Sequence, residues 1–343
     1  MHWRATTMVV VQIQAGPVTG LGYSYTDASA ADLIVNTLAK SVLGQSIFNI
    51  EGCWQVLQQQ VRNLGRSGIC ATAISAIDTA LWDAKAKLLD LPLAQLLGTA
   101  RDAIPIYGSG GFTTYSDAQM ADQLAAWVAD AGCRWVKIKI GTHPDRDPQR
   151  IRTARAAIGD AGLFIDANGA LSVKCALALA EQVAQSTVTW FEEPVSSDDL
   201  TGLREVRRRT PARMDVAAGE YGYNTDDFLH LLQAGAVDVL QADASRCGGV
   251  TGFLKASALC NAFHIPLSAH CAPALHLHVA CAVQGLRHLE WFHDHVRIET
   301  LFFDGAPVPV NGEIRPDVSR SGCGLALREV DVSRYQVRDY SLR

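Results

Sequence analysis

The sequence predicts a parallel α/β barrel joined to a smaller α+β unit, and three observations carry that expectation. From Ile104 onward one module repeats: a short apolar strand, a polar or glycine-containing end, then an amphipathic helical stretch. The strands are written as continuous apolar runs, the pattern of strands buried on both faces. A chemically capable residue stands at the end of almost every strand, which is where barrels of this type assemble their sites. An open doubly wound sheet is the competing arrangement, and the run of polar strand ends favours closure.

In chain order, residues 1–103 form the smaller unit. Short strands at 8–13 and 20–25 lead into a helix at 71–89, where Ile74, Ile77, Leu81, Ala84 and Leu88 recur at helical spacing and Leu91-Pro92 closes the run. The barrel occupies 104–300, with strands expected at 104–108, 135–140, 163–166, 188–192, 215–218, 237–241, 265–268 and 287–291. Residues 301–343 return to short strands and turns and are expected to fold back onto the first unit. A chain of 343 residues exceeds what one hydrophobic core serves, in keeping with a large and a small domain.

Composition narrows the function. A net charge of −5 offers no general attraction for nucleic acid or an anionic membrane. Arg207-Arg208-Arg209, the one basic run, reads as a solvated helix end. Nine cysteines, odd in number and without a CxxC pair, read as reduced thiols in a cytoplasmic protein. The apolar run Val9 to Val11 is too short for a leader or a span, so no membrane partner is expected.

Three acids end successive strands: Asp166 in Ile165-Asp166-Ala167-Asn168, Glu192 in Phe191-Glu192-Glu193-Pro194, and Glu220 in Gly219-Glu220, spaced 26 and 28 residues apart. Each step is one strand–helix unit, so in a closed barrel they share one cavity and repel unless a divalent cation joins them. All-oxygen ligation suits Mg²⁺. Lys137 and Lys139 are i and i+2 on one strand and share its inward face. Two ammonium groups near a metal are expected to lower each other's affinity for a proton, preparing one as a base. Asp243 and His270 lie 27 residues apart, again one unit, where a carboxylate supports an acid/base imidazole. Glu290, on the eighth strand, is placed to meet a substrate oxygen.

Together these motifs resemble the enolase superfamily and, within it, the mandelate racemase subgroup: Lys-x-Lys on the second strand, Asp-x-Asn on the third, Glu-Glu-Pro on the fourth and Gly-Glu on the fifth. Asp243 with Gly248-Gly249-Val250-Thr251-Gly252 matches the sixth strand, His270 the seventh and Glu290 the eighth. The resemblance implies a modified TIM barrel, (β/α)7β, with an α+β capping domain drawn from both chain ends, and a homo-oligomer. It implies Asp166, Glu192 and Glu220 as Mg²⁺ ligands, Lys139 as the base on one face and the His270–Asp243 pair as acid/base on the other. Lys137 would neutralise the substrate carboxylate, Glu290 would hydrogen-bond the developing enolate, and Asn168 would reach a substrate hydroxyl. Relatives usually begin with a further strand and a mobile loop over the substrate; Met1-His2-Trp3-Arg4 is too short to supply one.

The expected substrate is a small carboxylate, and proton abstraction leads to two outcomes. Loss of a β-hydroxyl gives dehydration of a sugar acid, the favoured reading; reprotonation from the opposite face gives a racemase or epimerase. A catalytically idle metal-binding relative is the remaining alternative. Tyr107, Ser109, Thr113, Asn168, Arg246, His293 and His295 are the polar groups expected near the barrel mouth, with Arg246 and Asn168 as substrate contacts. Gly108-Ser109-Gly110-Gly111 lacks phosphate-loop spacing and reads as a strand-end turn. His276 and His278 read as structural.

Overall fold

The computed structural model describes residues 5–342, so the segment Met1-His2-Trp3-Arg4 lies outside the described residues. The chain opens with an antiparallel hairpin, β1 (Met8–Ala15) and β2 (Val18–Tyr25), registered Val9 to Ser24 and Val11 to Gly22. Helices α1 (Ser29–Leu33), α2 (Ile50–Gln60), α3 (Ile69–Leu88) and α4 (Leu93–Leu97) follow. The long helix α3 lies on β2, and its buried face is rich in alanine (Ala73, Ala76, Ala80, Ala84). Gly20 and Gly22 make that contact close: a β-carbon on either would stand 2.1 Å from Ala80 O or 2.2 Å from Ala76 O.

The barrel then runs β3 (Ile104–Gly110), α5 (Asp117–Ala129), β4 (Trp135–Lys139), α6 (Asp147–Ala157), β5 (Gly162–Asp166), α7 (Val173–Gln182) and β6 (Val188–Glu192). It continues with α8 (Leu200–Arg209), β7 (Asp215–Ala218), α9 (Thr225–Gln233), β8 (Val239–Ala242), α10 (Gly249–Phe263), β9 (Leu267–Ala269), α11 (Pro273–Ala282) and β10 (Leu286–Phe292). All eight strands are parallel. β10 pairs with β3, Glu290 opposite Tyr107 and Phe292 opposite Ser109, so the sheet closes and the doubly wound alternative is excluded. The sixth and seventh strands start two residues later than expected, because Val237 and Ile265 owe their apolar character to burial outside the ladder.

After the barrel come α12 (His293–Phe302), β11 (Phe303–Asp304), β12 (Glu313–Ile314), β13 (Ala326–Leu327) and α13 (Glu329–Val332). β12 adds antiparallel to β3 on the outside. The returning chain meets the first unit where Cys323 N–H donates to Asp83 at 2.6 Å and the Tyr340 hydroxyl to Asp32 at 2.5 Å. The first unit is tied to the barrel mainly at α10: Asp78 accepts from the Thr251 amide at 2.9 Å and hydroxyl at 2.6 Å. Eight of the nine cysteines are buried, and all are free thiols. Among the described residues no helix is long and apolar enough to cross a membrane.

Inside the barrel, side chains two apart on each strand form layers. The floor is aromatic: Tyr107, Trp135, Phe164, Trp190 and His288, with Phe164 stacked on Trp190 at 5.1 Å and Tyr107 edge-on to His288 at 4.8 Å. Two residues further along these strands stand Ser109, Lys137, Asp166, Glu192 and Glu290. The floor closes the barrel from below and leaves this polar layer facing the mouth.

Tyr107, expected near the mouth, is therefore a fully buried floor residue. The glycines around Ser109 are also not a turn. Gly108 and Gly110 lie within β3 and make room for Trp127 of α5, which a β-carbon would meet at 2.6 and 2.7 Å.

Candidate active site

Asp166 and Glu192 end adjacent strands and are register partners. Glu220 follows β7 after Gly219, whose φ of +134° and approach to Gln241 O (2.2 Å from a β-carbon) exclude any other residue there. The three buried carboxylates present oxygens within 4.8 Å of one another. Crowding is visible in their affinities for protons. Burial, then Asp166, pushes Glu192 up to about 8, and burial, then Glu220, pushes the adjacent Glu193 up to about 9. For Glu220 burial acts the same way, but His270 and Arg246 overcome it and hold the carboxyl low. Glu193 Oε1 and Glu220 Oε2 lack a hydrogen-bond partner among the described residues. Convergent, buried, under-satisfied carboxylate oxygens are the donor set of a hard divalent cation.

Lys137 is wholly buried, 2.5 Å from Glu192 Oε1, 2.8 Å from Glu290 Oε1 and 3.6 Å from Asp166 Oδ2. Lys139, closer to the mouth, pairs with Asp166. The acids of the site act against the expected lowering of the lysines. Burial favours the neutral amines, but Glu192 and Glu290 hold Lys137 protonated, and Asp166 does the same for Lys139. The sequence pattern places the two ammonium groups on one face; it does not show that each lies against carboxylates from other strands.

Across the barrel, His270 Nδ1 meets Asp243 Oδ2 at 2.9 Å. Asp243 is oriented in turn by the Ser245 amide and hydroxyl, at 2.7 and 2.6 Å on Oδ1. Nε2 of His270 faces the cavity, 3.4 Å from Glu220 Oε2 and 3.6 Å from Glu290 Oε2. Burial disfavours the imidazolium, but Cys271, Glu220 and Glu290 outweigh it and raise its affinity for a proton. Glu290 is fixed by the Ser109 hydroxyl at 2.6 Å and by Lys137, and its carboxyl is held low despite burial, Lys137 being the main cause.

The structure thus brings Lys137, Lys139, Asp166, Glu192, Glu220, Asp243, His270 and Glu290 to one cavity. Arg246 joins them, donating to Glu220 O at 3.0 Å and lying 3.5 Å from both Glu220 Oε1 and Asp243 Oδ2. Asn168 stands at the rim with an exposed side chain and a left-handed backbone; its N–H donates to Asp166 Oδ1 at 2.8 Å.

Sequence reasoning missed the supports: Trp190, whose Nε1 donates to Glu192 Oε2 at 2.9 Å, Ser245 behind Asp243, and Cys271 beside His270. Trp190 carried a readable signal, two residues before Glu192 on the same strand face. His276 and His278 are structural, accepting from Ala244 N–H at 2.8 Å and Ala94 N–H at 3.2 Å. His295 accepts from Ala272 N–H and stacks on Tyr25 with ring centres 3.5 Å apart.

A closed parallel barrel with acids on three successive strand ends, a Lys-x-Lys strand and a His–Asp pair defines an enolase-type enzyme. Residues 119–331 match the enolase C-terminal domain-like family and residues 2–98 the mandelate racemase/muconate lactonizing enzyme N-terminal domain, and the chain belongs to that family. It is 32% identical over 291 residues to the 3,6-anhydro-alpha-L-galactonate cycloisomerase of Streptomyces coelicolor, covering 82% of this chain and 80% of that protein. The crystal structure of a mandelate racemase/muconate lactonizing enzyme-like protein from Rubrobacter xylanophilus superposes with a TM-score of 0.95 at 45% identity, covering 97% of this chain and 93% of that one. The L-talarate/galactarate dehydratase of Salmonella typhimurium, solved with Mg and L-lyxarohydroxamate, superposes at 0.86 with 28% identity, over 96% and 84% of the two chains.

Proposed function

We propose that this enzyme uses Mg²⁺ to remove the proton α to the carboxylate of a sugar acid and then expels the β-hydroxyl, giving a 2-keto-3-deoxy acid. The observation that carries this reading is the placement of two groups able to transfer protons, Lys139 at the end of β4 and His270 just after β9, around three oxygen-only acids. The dehydratase and cycloisomerase relatives support the reaction class. Asp166, Glu192 and Glu220 would hold the cation, which when bound supplies Lewis-acid stabilisation to a substrate carboxylate.

The chain's own groups do the rest. Lys137, buried and protonated, presents fixed positive charge to the carboxylate whose charge doubles in the enolate. Glu290 faces the same oxygens. Lys139, once its ammonium proton has left for solvent, takes the α-proton as the free amine. His270, kept in one tautomer and orientation by Asp243, delivers a proton to the departing hydroxyl. Asn168 and Arg246, at the rim and beside Glu220, are the substrate contacts. Each preorganised interaction of this kind typically contributes about 3–4 kcal/mol, so the whole constellation is needed.

The test is a library of sugar acids incubated with the Mg²⁺-loaded enzyme in deuterium oxide, followed by NMR and a keto-acid assay. Keto-acid formation that EDTA abolishes and Mg²⁺ restores is the expected result. Deuterium wash-in at the α-carbon without net loss would replace dehydration by racemisation or epimerisation. Full turnover in chelated, metal-free buffer would overturn the cation assignment, and no exchange across the library would favour an idle binding protein.

A further inference from the structure

Beside the oxygen trio lies a second group of ligand-bearing side chains: His270, Cys271 and Glu290, all buried. Cys271 Sγ is 3.3 Å from His270 Nε2 and 3.3 Å from Glu290 Oε2, and Nε2 is 3.6 Å from Oε2. We propose that these three side chains form a binding site for a thiophilic divalent cation, Zn²⁺ above all, distinct from the Mg²⁺ trio. Its occupation withdraws His270 from proton transfer.

The geometry fits before any ion is added. With Zn–S of about 2.3 Å and Zn–N or Zn–O of about 2.0–2.1 Å, neighbouring ligands of a tetrahedral zinc lie about 3.3–3.6 Å apart. The three observed separations fall within a few tenths of an ångström of that. Each ligand is also oriented for the purpose. His270 Nδ1 is committed to Asp243, the carboxylate–histidine support that zinc sites use, which leaves Nε2 pointing inward. Glu290 Oε1 is taken by Ser109 and Lys137, while Oε2 faces Cys271. The Cys271 backbone is left-handed, with φ of +52°, aiming the thiol back into the barrel beside His270.

Charge and softness separate the two sites. A neutral imidazole, a thiolate and a carboxylate balance Zn²⁺, so the Cys271 thiol proton and the proton on His270 Nε2 both leave for solvent as the metal enters. A thiolate disfavours Mg²⁺, and the oxygen trio has no soft ligand to compete for zinc. The nearest protein group to the fourth position is Glu220 Oε2, 3.4 Å from His270 Nε2; with Glu220 committed to the Mg²⁺ trio, an added anion completes the shell. The effect on turnover rests on the role proposed for His270; the site itself does not.

The probe is Co²⁺, added to Cys175→Ser protein already saturated with Mg²⁺, because Cys175 is the one exposed thiol. One equivalent is expected to produce a near-ultraviolet thiolate-to-cobalt charge-transfer band, displaced by Zn²⁺ and lost in both Cys271→Ala and Cys271→Ser. Calorimetric Mg²⁺ binding by those variants reports that they fold with an intact trio. Zinc X-ray absorption on the Mg²⁺-loaded wild-type protein gives the second reading: one sulfur at about 2.3 Å with nitrogen and oxygen neighbours. An all-oxygen zinc shell, or a cobalt band surviving in both variants, overturns the site. A wild-type protein that binds no Mg²⁺ at all would instead sink the proposed function and leave the cobalt result to stand by itself. Zn²⁺ inhibition that excess Mg²⁺ does not relieve and a chelator does is the expected kinetic counterpart; relief by Mg²⁺ alone would place zinc in the trio and overturn the distinction.

Discussion

Replacing Glu299 by Gln is expected to remove one contribution to stability that declines between mildly acid and mildly alkaline pH. Glu299 is 1% exposed and has no cationic partner within salt-bridge distance among the described residues; Oε1 accepts from the Tyr23 hydroxyl at 2.7 Å and Oε2 from Ala274 N–H at 2.9 Å. Burial is the main reason its carboxyl is pushed from 4.5 up to about 8. A folded state that holds this proton more tightly than the unfolded chain is fully favoured below about 4.5 and loses that advantage as pH rises through about 8. The 3.5-unit difference corresponds to roughly 4–5 kcal/mol in all, of which about 3–4 kcal/mol falls between pH 5 and pH 8. The Gln side chain keeps both contacts: its carbonyl accepts from Ala274 and its amide donates to the Tyr23 oxygen. It has no proton to lose. Urea midpoints at constant Mg²⁺ should favour the variant increasingly as pH rises, the gap between the two proteins growing by several kcal/mol. Asp78, Glu192 and Glu193 impose slopes of the same sign on both proteins and cancel in the difference. Parallel pH profiles would refute the reasoning and mean that Glu299 is ionised or hydrated in place.

His270→Asn is expected to lower dehydration by roughly 10²–10⁴-fold while leaving Lys139-driven α-proton exchange measurable by NMR in deuterium oxide; unchanged dehydration would exclude the general-acid role. Trp190→Phe keeps the aromatic floor but removes the donor to Glu192 Oε2, so Mg²⁺ affinity measured by calorimetry should weaken by roughly 10–100-fold. Gly20→Ala sets a β-carbon 2.1 Å from a backbone oxygen of α3, which cannot yield without moving the helix. Scanning calorimetry should show a loss of about 1–3 kcal/mol, and a neutral result would mean that the hairpin shifts freely on α3.

Much of the site was legible because chain spacing and barrel geometry are commensurate. Acids 26 and 28 residues apart can converge only if each interval is one strand–helix unit, and an inward Lys-x-Lys follows from the period of a strand. The eight strands, the three acids, the lysine pair, the His–Asp partnership and Glu290 were all readable on that basis. Closure was favoured by the run of polar strand ends, but its register was not readable, since it depends on β10 finding β3 across about 180 intervening residues. Nor were the charges of the lysines, which depend on carboxylates from other strands at distances no linear pattern contains. Cys271 is the sharpest instance. In the sequence it is one of nine scattered thiols following a histidine; in the fold a left-handed backbone turns it between His270 and Glu290, which lie 20 residues apart along the chain. The sequence by itself determined which chemistry stands at each strand end, because residue type and period are local. Only the tertiary structure decided which groups hold protons, which are oriented and by what, because those depend on separations of a few ångströms across the barrel.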